Sequence, residues 1–361
     1  MKPQINKLKP YQAGKYPAQV KKEYNVDKVV KLSSNENPYG YSPKVQEVVQ
    51  SLLSSCSSLY PDGSAPELRK VLSDKLCVNE NQFIFGSGAD EVIQIISRTL
   101  LSKGDNIVTT DLTYPQYRHH AIIEGCEVRE IPLTDGYFDL DKILDAIDSN
   151  TKIVWVCNPN NPTGTYLSEE TLLPFLHKVP KETLVVLDEA YYEYICEMQD
   201  FPQSIKLLKD FTNILILRTF SKAYGLAAFR IGYAIGNESL IEKFNVAKLP
   251  FNTTTFAQAA AIAAIDDQEF LDFCIEQNKV GIQQYESAFR DLNIDFYPTH
   301  TNCIFILTNQ SNEWFETLIK RGFIVRPYPN GIRITIGTKE QNEEVISILR
   351  QMMQYKQTSS F

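Results

Sequence analysis

Very little in this 361-residue sequence points to metals, membranes or nucleic acids. Histidine is scarce. His119, His120, His177 and His300 are the four, and none stands in an HExxH or comparable ligand spacing. The neighbours His119 and His120 read as two solvated side chains before they read as a metal pair. The seven cysteines are scattered, the nearest two being Cys56 and Cys77, so CxxC and zinc-ribbon spacings are excluded. Their odd number fits a reduced, cytoplasmic interior better than a disulfide framework. No run of 18 apolar residues occurs, and the polar opening Met1-Lys2-Pro3-Gln4 has no apolar leader core. Positive charge is also lacking. A net charge of −8 and a pI near 5.2 argue against a general nucleic-acid or anionic-membrane binder. An anionic small molecule in a local basic pocket stays possible.

What is present is a globular composition, 43% hydrophobic and 22% charged, long enough for a large domain and a smaller one. Residues 1–31 are polar and rich in Pro, Tyr and Lys, and read as an extended arm. From residue 44 helical and strand patterns alternate. Apolar strand-like runs stand at 82–85, 106–110, 152–157, 184–187 and 214–217, with helical spacing at 45–53, 67–76 and 90–101. Alternation of this kind predicts an α/β fold with a mostly parallel, doubly wound sheet. After Pro250 the pattern changes to one long helical stretch, 255–289, then strands at 303–307, 323–326 and 332–336 and a last helix at 339–353. The expected division is an arm at 1–43 that joins the small domain, a large domain at 44–250 and a smaller α+β domain at 251–361.

In an open parallel sheet, ligands gather at the carboxyl ends of strands, and four polar groups fall there. Lys222, in Thr219-Phe220-Ser221-Lys222, follows the apolar run 214–217 with Arg230 eight positions on. Desolvation and nearby cations lower a lysine's pKa, and a neutral amine forms a Schiff base with an aldehyde. Asp188 closes the apolar run 184–187, where a carboxylate is costly without a cationic partner. A pyridinium nitrogen is one such partner; a helix cap is the plainer role. Tyr191 lies three residues on. Gly86-Ser87-Gly88-Ala89-Asp90 lets a backbone approach an anion at a helix start, although alone it is an ordinary turn. Thr219, Ser221 and Arg230 suit a phosphate dianion. Asn161, in Asn158-Pro159-Asn160-Asn161-Pro162-Thr163-Gly164, offers an amide, and the segment would be a turn on composition alone. Tyr114 follows another strand and reads equally as a ring-stacking or a core residue. Together, a Schiff-base lysine, an electron-sink acid and a phosphate cradle describe a site for pyridoxal 5'-phosphate.

The ordered motifs SGADE, NPNNPTG, DEAY and SKAYGLAAFRIG resemble those of the fold-type-I pyridoxal-phosphate aminotransferases, and the resemblance covers nearly the whole chain. Ser34-Asn35-Glu36-Asn37-Pro38-Tyr39-Gly40, Tyr60-Pro61-Asp62-Gly63, Pro10-Tyr11-Gln12 and Arg333-Ile334-Thr335-Ile336-Gly337-Thr338 are similar to the histidinol-phosphate aminotransferase branch. The resemblance implies roles. Lys222 carries the cofactor and moves the substrate proton. Asp188 pairs with the ring nitrogen, Asn161 and Tyr191 bind the 3-oxygen, and Tyr114 stacks on the ring. Ala89, Asp90, Thr219, Ser221 and Arg230 hold the phosphate, with the Asp90 carboxylate turned away from it. Tyr60 reaches the site of a partner subunit, making a homodimer the active unit. Arg333 clamps the substrate α-carboxylate, while Arg326 and Tyr11 meet the distal anion. Without the resemblance, Arg326 and Arg333 read as solvated strand arginines. The implied reaction exchanges an amino group between L-histidinol phosphate and 2-oxoglutarate. An aromatic or broad-range aminotransferase and a threonine-phosphate decarboxylase-like enzyme are the alternatives.

Overall fold

A computed structural model describes residues 2–10, 14–54 and 58–358, with side chains as far as Gln354. Thirteen strands run in chain order among the described residues. They are β1 (Val30–Lys31), β2 (Phe83–Gly86), β3 (Asn106–Thr110), β4 (Glu127–Ile131), β5 (Thr151–Cys157), β6 (Leu184–Asp188) and β7 (Ile214–Thr219). Then follow β8 (Gly232–Gly236), β9 (Phe296–Tyr297), β10 (Cys303–Leu307), β11 (Phe323–Ile324), β12 (Arg326–Tyr328) and β13 (Gly331–Thr335).

The main sheet has the order β2-β8-β7-β6-β5-β3-β4. All its pairings are parallel except those of β8, which is antiparallel to β2 and β7. Strands β2, β3, β6, β7 and β8 are buried at every position, as continuous apolar runs require when helices cover both faces. Alternation divides their side chains. Ile84, Leu215 and Leu217 enter one core with helices Ala89–Leu100 and Glu169–Lys178. Phe83, Phe85 and Ile216 enter the other, with helices Pro43–Leu53, Pro66–Leu76 and Thr255–Ile265.

A second, antiparallel sheet has the order β12-β13-β10-β9. Its core, with Ile304, Ile306, Ile332 and Ile334, packs on Tyr285, Phe289 and Leu349. Val30 and Leu32 join that core, and β1 pairs in parallel with β11.

Several expectations need correction. The arm is not extended throughout: a 3-10 helix covers Pro3–Lys7 and an α-helix Pro17–Tyr24, each opened by a proline at its first position. The single long helix after Pro250 is two, Thr255–Ile265 and Gln268–Leu292. The break comes at Asp267, whose side chain caps the second helix by accepting from Phe270 N–H at 3.3 Å. The strand at 323–326 is also two, on either side of Val325, and they belong to different sheets.

Candidate functional site

The sheet's strand ends converge as its topology requires. Asp188 is the last residue of β6 and lies in the strand itself, not at a helix cap. Its Oδ2 accepts from Tyr117 Oη, and its Oδ1 accepts from Ala190 N–H at 3.1 Å. Burial pushes this carboxyl up to about 6, against the downward pull of those two donors.

Lys222 lies just past β7. Its Nζ donates to the Ser34 carbonyl at 3.2 Å and stands 5.8 Å from the centre of the Tyr191 ring. Burial, then the Arg333 charge, lower its pKa to about 8. The sequence-based expectation of a depressed amine is met, with Arg333 as the neighbouring cation.

The candidate anion cradle forms where β2 and β7 end and the antiparallel β8 begins. Helix Ala89–Leu100 begins at Gly88, with no side chain capping its first N–H groups. Thr219, at the end of β7, is paired with Gly232. A Cβ on Gly232 would lie 2.6 Å from Ala89 N, so the lack of a side chain lets strand end and helix start meet. Thr219 Oγ1 donates to Ser221 Oγ at 3.1 Å. Arg230 covers Gly88, whose φ is +78° and whose added Cβ would sit 2.5 Å from Arg230 Nη2. The Asp90 carboxylate does not turn away from this cradle. It accepts from Arg230 Nη2 at 3.2 Å and from the Tyr114 hydroxyl, because the guanidinium is the nearest counter-charge on offer.

Both substrate-side arginines sit on adjacent strands, and Arg326 of β12 is directly paired with Arg333 of β13. Arg333 is buried, contrary to a solvated strand position. Its Nη1 donates to Asn161 Oδ1 at 2.7 Å and its Nη2 to the Ser33 carbonyl. Two guanidiniums side by side suit a ligand with two anionic groups. The Asn161 oxygen is thereby used, leaving its NH2 as a donor. Tyr60 stands apart from this cluster: it is 82% exposed and stacks on Phe251 at 4.7 Å. Tyr11 lies outside the described residues.

Two features escaped sequence reasoning. One is Tyr117. The other is the segment Ser33-Ser34-Asn35, in which each residue holds one functional group. Ser33 O accepts from Arg333, Ser34 O accepts from Lys222, and Asn35 Nδ2 donates to Tyr191 Oη at 2.8 Å. Asn35 is fully buried at φ +57°, a conformation asparagine tolerates. Thr335 and Asn302 of the second sheet's region fix it further. The motif Ser34-Asn35-Glu36-Asn37-Pro38-Tyr39-Gly40 carried a resemblance, but its polar, aperiodic sequence assigned these residues no role.

The sequence model of one protein family, aminotransferase class I and II, matches residues 27–349. This chain belongs to that family. Among its relatives, histidinol-phosphate aminotransferase 2 of Bacillus cereus (strain ATCC 10987 / NRS 248) is 54% identical over 361 residues, covering 100% of this chain and 98% of its own. Histidinol-phosphate aminotransferase of Bacillus cytotoxicus is 53% identical over 359 residues, covering 98% and 96%. Among solved structures, histidinol-phosphate aminotransferase from Sinorhizobium meliloti in complex with pyridoxal-5'-phosphate superposes with a TM-score of 0.89 at 25% identity, covering 98% of each chain. A Thermus thermophilus aspartate aminotransferase shares the fold, with a TM-score of 0.84 at 21% identity over 97% of this chain and 99% of its own. The family's aminotransferase fold therefore extends over nearly the whole chain.

Proposed function

We propose that this family member is a pyridoxal-phosphate-dependent aminotransferase. It exchanges the amino group between L-histidinol phosphate with 2-oxoglutarate and imidazole acetol phosphate with L-glutamate, a step of histidine biosynthesis. The observation that carries this reading is the brace at Ser33 and Ser34. Consecutive carbonyls hold Arg333 and Lys222, setting a carboxylate clamp beside a half-buried amine. The names of relatives more than half identical over the full chain supply the substrate.

The residues present fit the cofactor on their chemistry: an uncapped helix start with hydroxyls and a guanidinium for a phosphate, a buried carboxylate for a pyridinium, and a lysine with a lowered pKa. When bound, pyridoxal phosphate supplies an aldehyde for the amino group and a ring that takes up negative charge from the substrate Cα. The chain's own residues divide the remaining work. The N–H groups of Ala89 and Asp90, the hydroxyls of Thr219 and Ser221, and Arg230 bind the phosphate. Asp188 keeps the ring nitrogen protonated. Asn161 and Tyr191 would hold the 3-oxygen, and Tyr114 would stack on the ring. Because Asn35 donates to the Tyr191 oxygen, the phenol's own proton is directed into the site. The Lys222 amine would take the Cα proton and deliver it two bonds away, across the substrate nitrogen, the 1,3-shift that transamination requires. Arg333 clamps the α-carboxylate; Arg326 and Tyr11 meet the phosphate of one substrate or the side-chain carboxylate of the other, so one pocket serves both halves of a ping-pong cycle.

The active unit in this reading is a homodimer, with Tyr60 entering the partner's site. Its support is an exposed aromatic pair, Tyr60 stacked on Phe251, with Leu59 and Leu249 also exposed close by in sequence. The expected division into an arm at 1–43, a large domain at 44–250 and a small one at 251–361 needs one change in this reading, since helix Thr255–Ile265 packs in the main sheet's core and goes with the large domain; we place the enzyme in the cytoplasm. Among the described residues no helix is long and apolar enough to cross a membrane.

A half-reaction titration tests the substrate. Histidinol phosphate, phenylalanine and tyrosine are each added to the loaded protein, and conversion of the cofactor to its amine form is followed by absorbance. Histidinol phosphate should convert it at the lowest concentration. Equal or better conversion by the aromatic amino acids would replace this reading with a broad-range aminotransferase.

A further inference from the structure

Tyr117 is fully buried, on the first turn of helix Gln116–Glu124, yet it carries a hydroxyl that must be satisfied. The partner it has is Asp188 Oδ2. Its ring lies flat on Trp155, centroids 4.5 Å apart at 8°, and meets Tyr114 edge-on at 5.8 Å. That packing fixes the ring and its C–O bond, and so places the hydroxyl oxygen against Asp188 Oδ2. The second carboxylate oxygen is held by Ala190 N–H. Asp188 is therefore gripped at both oxygens, by the helix after β3 and by its own strand end.

The charged and titratable groups around this carboxylate are few. Tyr117 and Cys157 lie against it; Asp90 and Lys222 act from farther off with opposite signs. Burial pushes the Tyr117 phenol and the Cys157 thiol well up, so both stay neutral. Tyr117 is thus a neutral donor and the strongest counterweight to the desolvation of Asp188.

We propose that Tyr117 is a positioning residue for the reaction: its hydroxyl fixes the Asp188 carboxylate, oriented and ionised, against the nitrogen of the cofactor ring. The proposal rests on the pyridoxal-phosphate reading of the site. Hydrogen bonds to charged groups are strong enough that losing one moves a carboxyl by about one to two pH units.

Tyr117→Phe removes the donor and keeps the stacked ring. In cofactor-free protein, the Asp188 carboxyl is followed by its infrared band, assigned with Asp188→Asn. Its midpoint should rise by about one to two units from wild type. In loaded protein, the pH dependence of the cofactor's absorbance should move as well. If Tyr117→Phe does not fold, 3-fluorotyrosine in place of Tyr117 retains the ring and strengthens the donor, and the midpoint should then fall. A carboxyl midpoint unmoved by either change overturns the assignment. That failure is separable from failure of the cofactor reading, in which wild type would bind no chromophore that borohydride fixes onto Lys222.

Discussion

Lys222 is held where its charge is unwelcome, and this has a consequence for stability. Its pKa is lowered from 10.5 to about 8 by burial and by Arg333. Below pH 8 the folded, cofactor-free protein must carry a desolvated ammonium that the unfolded chain carries in water. The penalty is full below the folded pKa, shrinks between 8 and 10.5, and vanishes above. Lys222→Met should therefore stabilise cofactor-free protein at pH 7 by up to about 3 kcal/mol, seen as a higher melting temperature. The gain should disappear near pH 10.5. A variant no more stable than wild type at pH 7 would show that the lysine is relaxed where it stands. At this scale the sequence was most legible where chemistry and position coincide: Lys222 and Asp188 each follow an apolar run, and a charged group there calls for an explanation. Tyr117 gave no such signal, since tyrosine on an amphipathic helix is ordinary. The carbonyls of Ser33 and Ser34 gave none either, because a backbone acceptor is the same for every residue type.

Among elements, the junction of β2 with helix Ala89–Leu100 concentrates the most demand on one position. Gly88 has φ +78°, and a methyl group there would meet Arg230 Nη2 at 2.5 Å. An alanine would incur backbone strain and push the guanidinium out of the cradle. Gly88→Ala should weaken cofactor binding about ten- to a hundredfold, measured as absorbance recovered when stripped protein is titrated with pyridoxal phosphate. Unchanged binding would remove Arg230 from the phosphate site. The main strands were legible because continuous apolar runs between turn signals fit buried parallel strands. β4 was not, because this edge strand holds three charged residues, Glu127, Arg129 and Glu130, among its five and shows no apolar run. β8 was missed for the opposite reason: flanked by glycines and five residues long, it is recognisable only through its antiparallel partners β2 and β7. The division at Val325 was equally hidden, since one apolar run supplies two strands that separate only when β1 arrives to pair with β11.

At the scale of the whole molecule, the arm is a segment of chain that completes a site built by others, and the proposed homodimer gives Tyr60 the same part. Ser33, Ser34 and Asn35 do so within the chain, tying Arg333, Lys222 and Tyr191 together across the two sheets. Tyr60, exposed and stacked on Phe251, is suited to do so across a two-fold axis. Complementation separates action in trans from action within one subunit. Tyr60→Ala should lower activity about ten- to a hundredfold, as expected for a lost hydrogen bond to a charged group. Lys222→Ala should be inactive. When the two variants are mixed and allowed to exchange subunits, half of the dimers pair one chain of each kind. In those dimers the site with an intact Lys222 receives Tyr60 from the Lys222→Ala partner and is whole. Mixing should then restore about a quarter of wild-type activity, the share expected for one competent site in half of the dimers. If Tyr60 served its own chain's site, every Lys222-containing site in the mixture would still lack it, and activity would stay at the low level of Tyr60→Ala. Co-purification of one variant through an affinity tag carried only by the other confirms that mixed dimers formed, so an absence of recovery would count against the trans arrangement itself.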